Sequence, residues 1–335
     1  MKKIIFSLAC FAAMVLQIPV FAETIDIVYT WVDGSDPVWK EKKNFYFRKS
    51  RKAAINPDSN SKNRYRNRDE LKYSLRSLFK YCHFFHHIYI ITDHQVPFWL
   101  ASHPDITVVD HQAIFRDKSD LPTFNSIAIE ANLHRIGNLA EKFIYFNDDV
   151  FLMKEVTEED FFSKNGQIKA CLSEWEAPAG DIVEGESAYI SVWKNTNELL
   201  NQNFKDEKRI RLAHAPFALT KSFIEEVESE IDDVFDLVSS HRFRDSNDFA
   251  LTNGLIQYWG YYNDRCKFLK SGKCYTCCIG NDSEKNMKKF KKCTEGGFTF
   301  FCLEDDLQDD DEAIDDQTQK FLEQLFPEKA PWERS

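Results

Sequence analysis

The sequence predicts an α/β, Rossmann-like fold: a mostly parallel sheet flanked by helices, with an inserted subdomain and a Cys-rich C-terminal appendage. Three observations carry this. Four near-continuous runs, "IDIVYTW", "HIYIITD", "ITVVDH" and "KFIYFNDD", are rich in β-branched and aromatic residues and alternate with helical patterns, as strands covered on both faces do. Carboxylates stand at the ends of these runs (Asp33, Asp93, Asp110, Asp148, Asp149), where open α/β sheets place their ligands. Five cysteines (Cys274, Cys277, Cys278, Cys293, Cys302) fall within 29 residues beyond the last helical pattern.

Residues 1–22 read as a secretory signal. Lys2 and Lys3 precede an apolar run from Ile4 to Val20 that ends in Val20-Phe21-Ala22, with cleavage expected after Ala22. Gln17 and Pro19 interrupt a run already short for crossing a bilayer, so no transmembrane segment is expected after cleavage. The expected destination is secreted or periplasmic, or lumenal in a eukaryote.

The first strand runs into "WVDGSDPVW", which holds more carboxylate, Gly and Trp than a turn needs and stands at a strand end, where such sheets have their ligand crevice. Between the first two strands, "NRDELKYSLRSLFKYC" places Leu71, Leu75, Leu78, Phe79 and Cys82 on one helical face. Asn67 is its expected N-cap and Glu70 its capping-box partner. "FNSIAIEANLHRIGNLAEK" reads as a second helix before the fourth strand. Residues 154–210 read as the insertion covering the crevice. A helix capped near Ser222 follows, then one starting around Asp248 with Leu251, Leu255, Tyr258 and Trp259 inward.

The net charge is −11, and residues 304–316, "EDDLQDDDEAIDD", hold nine acids. This argues against nucleic-acid partners and reads as a solvated acidic tail, 304–335, with a short helix. Of nine cysteines, Cys10 lies in the signal; export and the even remainder favour disulfides over a thiolate zinc site, making 266–303 a tied appendage. The main domain is then 23–265. Only 11 glycines are present and no Gly-rich phosphate loop, so phosphates would be gripped by arginines, helix N-termini and metal.

Asn147-Asp148-Asp149 is the sharpest chemical signal. Two adjacent carboxylates follow "FIYF" and precede Val150-Phe151, with no cation close in sequence, and a shared hard divalent ion, Mg²⁺ or Mn²⁺, removes their repulsion.

"DIVYTWVDGSDPVW", "RYRNRDELKYSLRSLFKY" with "IYIITDHQVPFWL", "FNDDVFL", "HAPFALTKSF" and "RFRDSNDFALTNGLIQYWGYY" resemble, in order, the conserved blocks of the Stealth family. That family comprises bacterial capsular-polysaccharide sugar-1-phosphate transferases and the catalytic part of the animal N-acetylglucosamine-1-phosphotransferase. The resemblance covers roughly residues 24–263, leaving the Cys-rich segment and acidic tail outside.

The resemblance implies attack of an acceptor hydroxyl on the β-phosphorus of a nucleotide-diphosphate sugar, a UDP-N-acetylhexosamine among the candidates, with a carbohydrate or glycoprotein as acceptor. It assigns Asp148 and Asp149 to metal or to the attacking hydroxyl, and Asn147 to positioning them. Asp33, Trp31 and Gly34 would line the donor pocket. Arg66, Arg68, Arg242 and Arg244 are candidates for the phosphates, with Asn247 and Asp248 beside them, although each arginine also has acids nearby. His214 suits base or phosphate-contact duty. Two other readings stay open: a metal-dependent glycosyltransferase, which would release a nucleoside diphosphate, and a secreted carbohydrate-binding protein using Trp31, Trp39, Trp99, Trp175 or Trp193 as sugar platforms.

Overall fold

The computed structural model describes residues 23–50, 57–270, 272–307 and 309–334; the expected signal, 1–22, lies outside them. The four apolar runs become β1 (Ile25–Thr30), β2 (Phe85–Thr92), β3 (Ile106–Asp110) and β4 (Lys142–Asn147), all mutually parallel. β5 (Val150–Leu152), β6 (Ile168–Glu176), β7 (Ile210–Leu212), β8 (Phe217–Thr220), β9 (Cys266–Leu269), β10 (Cys274–Ile279) and β11 (Phe300–Asp305) complete the set. The large sheet has the order β3-β2-β1-β4-β8, with β8 antiparallel at the edge; two smaller sheets run β10-β11-β5 and β7-β6-β9. This is the α/β Rossmann-like architecture that the alternation predicts. Every residue of β1 is buried, including Asp26, whose carboxylate accepts from the Ala140 N–H (2.8 Å) and pairs with His86 Nδ1 (3.0 Å). A buried charge persists only with such partners.

Several local expectations shift. Helix α1 spans Pro37–Lys49, and Asp36 caps it, accepting from Val38 N (2.8 Å) and Trp39 N (3.3 Å). Helix α2 is Glu70–Tyr81, starting later than an Asn67 cap implies, because Asp69 adopts a left-handed conformation (φ 65°) and Asn67 Oδ1 accepts the Asp69 N–H (3.0 Å). Glu70 does turn back, accepting from Arg68 N (2.6 Å). Leu71, Leu75 and Leu78 are buried as expected, whereas Phe79 is largely exposed and meets the Trp332 ring edge-on. The second expected helix is only Ser126–Glu130 plus a single turn. Asn132 Nδ2 caps the Ala128 carbonyl (2.9 Å) and Asn138 takes φ 64°, so the chain bends there. The helix expected from Ser222 is capped from outside, since Ser222 donates to Glu141. The one expected around Asp248 starts at Leu251, with a wide π turn before Ile256–Tyr262.

The largest correction concerns the C-terminal third. Residues 266–303 are not an appendage: β9 pairs with β6 in register Ile168↔Cys266, and β11 pairs with β5 in register Cys302↔Val150. All eight cysteines of residues 23–335 are free thiols, so no disulfide ties this segment; Cys277 and Cys293 instead pack in a second core with Phe290, Phe301 and Phe321. Nor is the acidic run a solvated tail. The helix Glu312–Leu325 buries Ile314, Thr318, Phe321 and Leu322, and of the acidic run Asp305 in β11 pairs with Arg66 and Asp315 in the helix with Arg68. The 154–210 insertion supplies most of the third sheet and the helix Ala188–Asn203.

Gly34 has a packing role. A Cβ there would lie 2.0 Å from the Tyr65 carbonyl oxygen and 2.6 Å from Tyr65 Cβ, so the loop after β1 closes against the Tyr65 backbone. Gly34→Ala is expected to destabilise the fold by about 1–3 kcal/mol, read as a lowered urea midpoint with unchanged m-value.

Candidate active site

The chain leaves the large sheet at Asn147, turns through Asp148 and Asp149, and enters the second sheet at Val150. The two carboxylates therefore stand at a corner between sheets. His214 follows β7 of the third sheet, whose Ala213 N donates to Cys171 O (2.8 Å), and precedes β8 of the large one. Cys302 and Glu304 come from β11, held alongside by the Leu303 N to Asp149 O bond (2.9 Å). All three sheets meet here.

His214 Nε2 donates to Asn147 Oδ1 (3.1 Å), while Nδ1 lies 3.4 Å from both Glu304 Oε1 and Cys302 Sγ. Burial alone would lower the His214 pKa, but the Asp149 and Glu304 carboxylates raise it to about 9, so the ring is an imidazolium with both N–H groups engaged. Burial raises Asp148 well above the usual carboxylate range, and Asp149 and Glu70 push it further. Burial raises Asp149 too, against the opposing pull of His214. Glu70, buried behind Arg68, is pushed up to about 7. Asp149 Oδ1 is buried without a hydrogen-bond partner. The residues fit a hard divalent cation: two acids disfavoured as free carboxylates, one of them with an unpartnered buried oxygen, have the charge and donor type such an ion takes. Ligand atoms of Asp149, His214 and Cys302 lie within 4.8 Å of one another, but the His214 imidazolium has no lone pair for a metal, which leaves the carboxylates as the donors.

The other predicted residues divide. Asn147 orients His214. Asp33 Oδ1 accepts from Ser35 N (2.9 Å) and Ser35 Oγ (2.6 Å), forming a turn, and the Asp33 N–H is held by Gln95 Oε1 (3.0 Å). Trp31 is buried in the core and offers no open face to a donor. Arg66 and Arg68 are occupied: Arg66 pairs with Asp305 and Asp310, and Arg68 with Asp305 (3.0 Å) and Asp315 (2.5 Å). Arg242 donates to the Pro122 (2.7 Å), Ser119 (3.2 Å) and Leu121 (3.2 Å) carbonyls. Asp248 is fully buried, accepting from Asn125 Nδ2 (2.9 Å), Asp245 N (2.9 Å) and His241 Nδ1 (2.6 Å), while Asn247 is exposed and folds onto Asp245. Most of the donors on these side chains are taken by protein partners, although Arg66 Nε and Arg68 Nη2 are buried without one. Arg244 differs. It donates to Ser126 Oγ (2.9 Å), pairs with no carboxylate among the described residues, and its charge reaches Glu130, as that of His214 does.

Sequence reading missed Glu304, Cys302 and Arg211. The first two lie in segments read as tail and appendage; only the β11–β5 pairing brings them to Asp149. The apolar, aromatic run in "FTFFCLED" was the available signal for that strand.

Four conserved-region models of one family match the chain in order: Stealth protein CR1, residues 23–54; CR2, 64–170; CR3, 213–261; and CR4, 297–335. The chain belongs to the Stealth family. The CR4 match corrects the expectation that the resemblance ends near residue 263. Among relatives, this Stealth chain is 37% identical over 314 residues to the exopolysaccharide phosphotransferase SCO6023 of Streptomyces coelicolor, covering 92% of this chain and 52% of that protein. It is 31% identical over 313 residues to the exopolysaccharide phosphotransferase CpsY of Mycobacterium tuberculosis, covering 92% and 58%. The chain thus spans about half the length of the curated relatives it matches. The galactosyltransferase LgtC, solved with donor and acceptor sugar analogs, superposes at TM-score 0.40 and 10% identity, covering 83% of this chain and 86% of that one, a likeness too distant to carry an argument.

Proposed function

We propose that this Stealth chain transfers a sugar-1-phosphate from a nucleotide-diphosphate sugar to a hydroxyl of a carbohydrate acceptor, releasing a nucleoside monophosphate. The observation that carries the reading is the His214 imidazolium held beside the Asp148–Asp149 pair at the junction of three sheets. The names of the relatives, exopolysaccharide phosphotransferases, support it.

In this reading the acceptor oxygen bonds to the β-phosphorus as the bond from that phosphorus to the nucleoside monophosphate breaks. The acceptor proton passes to the Asp149 carboxylate. His214, with both N–H groups fixed, steadies charge on the phosphoryl oxygens. Arg244, free of acidic partners, grips the donor phosphates. Asp148 and Asp149 would hold Mg²⁺ or Mn²⁺, which when bound supplies charge neutralisation for the phosphoryl group. The proposal retains the secretory route expected from residues 1–22. No helix among the described residues is long and apolar enough to cross a membrane.

Incubating the protein with a panel of nucleotide sugars, Mg²⁺ or Mn²⁺ and simple glycosides, then identifying the released nucleotide, tests the reading. A monophosphate supports it; a diphosphate makes the chain a glycosyltransferase, and binding without turnover a carbohydrate-binding protein. Arg244→Lys is expected to weaken donor affinity about tenfold despite the retained charge, because Lys lacks the planar fork; titration calorimetry with the donor reads this.

A further inference from the structure

Six of the seven tryptophans are buried, whereas Trp175 is 66% exposed. A large aromatic face left in water marks a contact surface when others join it. Trp175 stands at the end of β6, where pairing with β7 shifts register between Leu172 and Glu176, and such irregularities re-aim side chains beside functional sites. Ser173 Oγ accepts the Trp175 N–H (3.1 Å) and helps fix the bend. Leu172 pairs with Leu212 and Glu176 with Ile210, so Arg211 stands opposite the bulged stretch 173–175 that carries Trp175. Arg211 donates to the Tyr189 hydroxyl (3.3 Å), and its guanidinium lies 5.7 Å from the centre of the Tyr189 ring, which is itself exposed. The Arg211 Nε is buried without a hydrogen-bond partner, and the side chain forms no ion pair among the described residues. This patch continues into the reaction centre, since His214 lies three residues beyond Arg211 and the Arg211 charge reaches Glu304, the carboxylate beside His214.

We propose that Trp175, Tyr189 and Arg211 form the acceptor subsite, the indole stacking on the apolar face of a pyranose ring while Arg211 donates to that ring's oxygen substituents. The inference rests on the transferase reading for its position in the reaction, but the binding chemistry is its own: a flat apolar face beside a planar donor suits a sugar ring, apolar on its C–H face and rimmed by oxygens. The ring's hydroxyl would then be delivered toward Asp149 and His214.

Trp175 fluorescence provides the test, because it is the indole that iodide can reach. The intact protein is titrated with isomaltotetraose, chitotetraose and an oligogalacturonate, representing neutral, N-acetylated and acidic pyranoses. At least one is expected to blue-shift the emission and protect it from iodide at millimolar concentration, with Arg211→Ala weakening the effect about tenfold. Protection by the acidic probe alone shows that Arg211 reads a carboxylate. No protection by any probe up to about 10 mM overturns the proposal. In turnover assays, Trp175→Ala should raise acceptor KM about tenfold or more while leaving donor hydrolysis by water unchanged. Equal loss of both activities also overturns it, by making Trp175 structural. Protection by an oligosaccharide in a protein that releases no nucleotide retains the glycan subsite and rejects the transferase reading, so the two fail separately.

Discussion

Asp149→Asn is expected to lower turnover by about a thousandfold or more, the loss that follows when several kcal/mol of charge stabilisation are removed from a phosphoryl transfer. The same change should not unfold the protein. Burial holds Asp148 and Asp149 above the usual carboxylate range, and Asp149 raises the cost of ionising Asp148, so an uncharged amide relieves the metal-free fold. The melting temperature of the metal-free variant should equal or exceed that of the parent, while the increase that Mn²⁺ produces in the parent should shrink or vanish. Full activity after exhaustive chelation, or in Asp149→Asn itself, would remove both the metal and this carboxylate from the mechanism.

His214→Ala should reduce kcat about a hundredfold or more with little change in donor affinity, because the imidazolium acts on charge that develops during transfer. Stability supplies an independent readout. The folded pKa of about 9 is raised from 6.5, so the favourable contribution of the charged ring is fully present below pH 6.5 and lost as pH rises through 9. In chelated protein the stability gap between parent and His214→Ala should therefore be widest in mildly acidic solution and close above pH 9. Near-normal turnover in the intact variant would demote His214 to a structural residue and leave Arg244 as the principal cation at the phosphates.

Much of the fold was legible in the sequence because a strand buried on both faces has a composition few other segments share. β1, β2, β3 and β4 stand where four apolar runs predicted them, and Asp148–Asp149 stands where β4 ends. Helix ends were less legible. Asn67 and Ser222 are good caps in isolation, yet a left-handed Asp69 and the distant Glu141 decide where those helices start. Arginines are the hardest case, since the fork that suits a pyrophosphate also suits a carboxylate. Arg66 and Arg68 meet Asp305, Asp310 and Asp315, which lie more than two hundred residues away in sequence and carry the charge that a phosphate would otherwise supply.

Local sequence alone determined the parallel sheet and the acidic pair at the end of β4, and its ordered motifs carried the resemblance to the family, because hydrophobic period, adjacent carboxylates and motifs are all short-range properties of the chain. Tertiary structure alone decided that the Cys-rich and acidic segments belong to the domain, that Gly34 makes room for Tyr65, that Trp175 is the exposed tryptophan, and that Glu304 stands beside His214. Each of these depends on which distant surfaces meet. A thiol, a carboxylate or an indole has no fixed role until packing sets its neighbours and its access to water, and the strand pairings that do so join residues 150 and 302, or 176 and 210, across long stretches of chain.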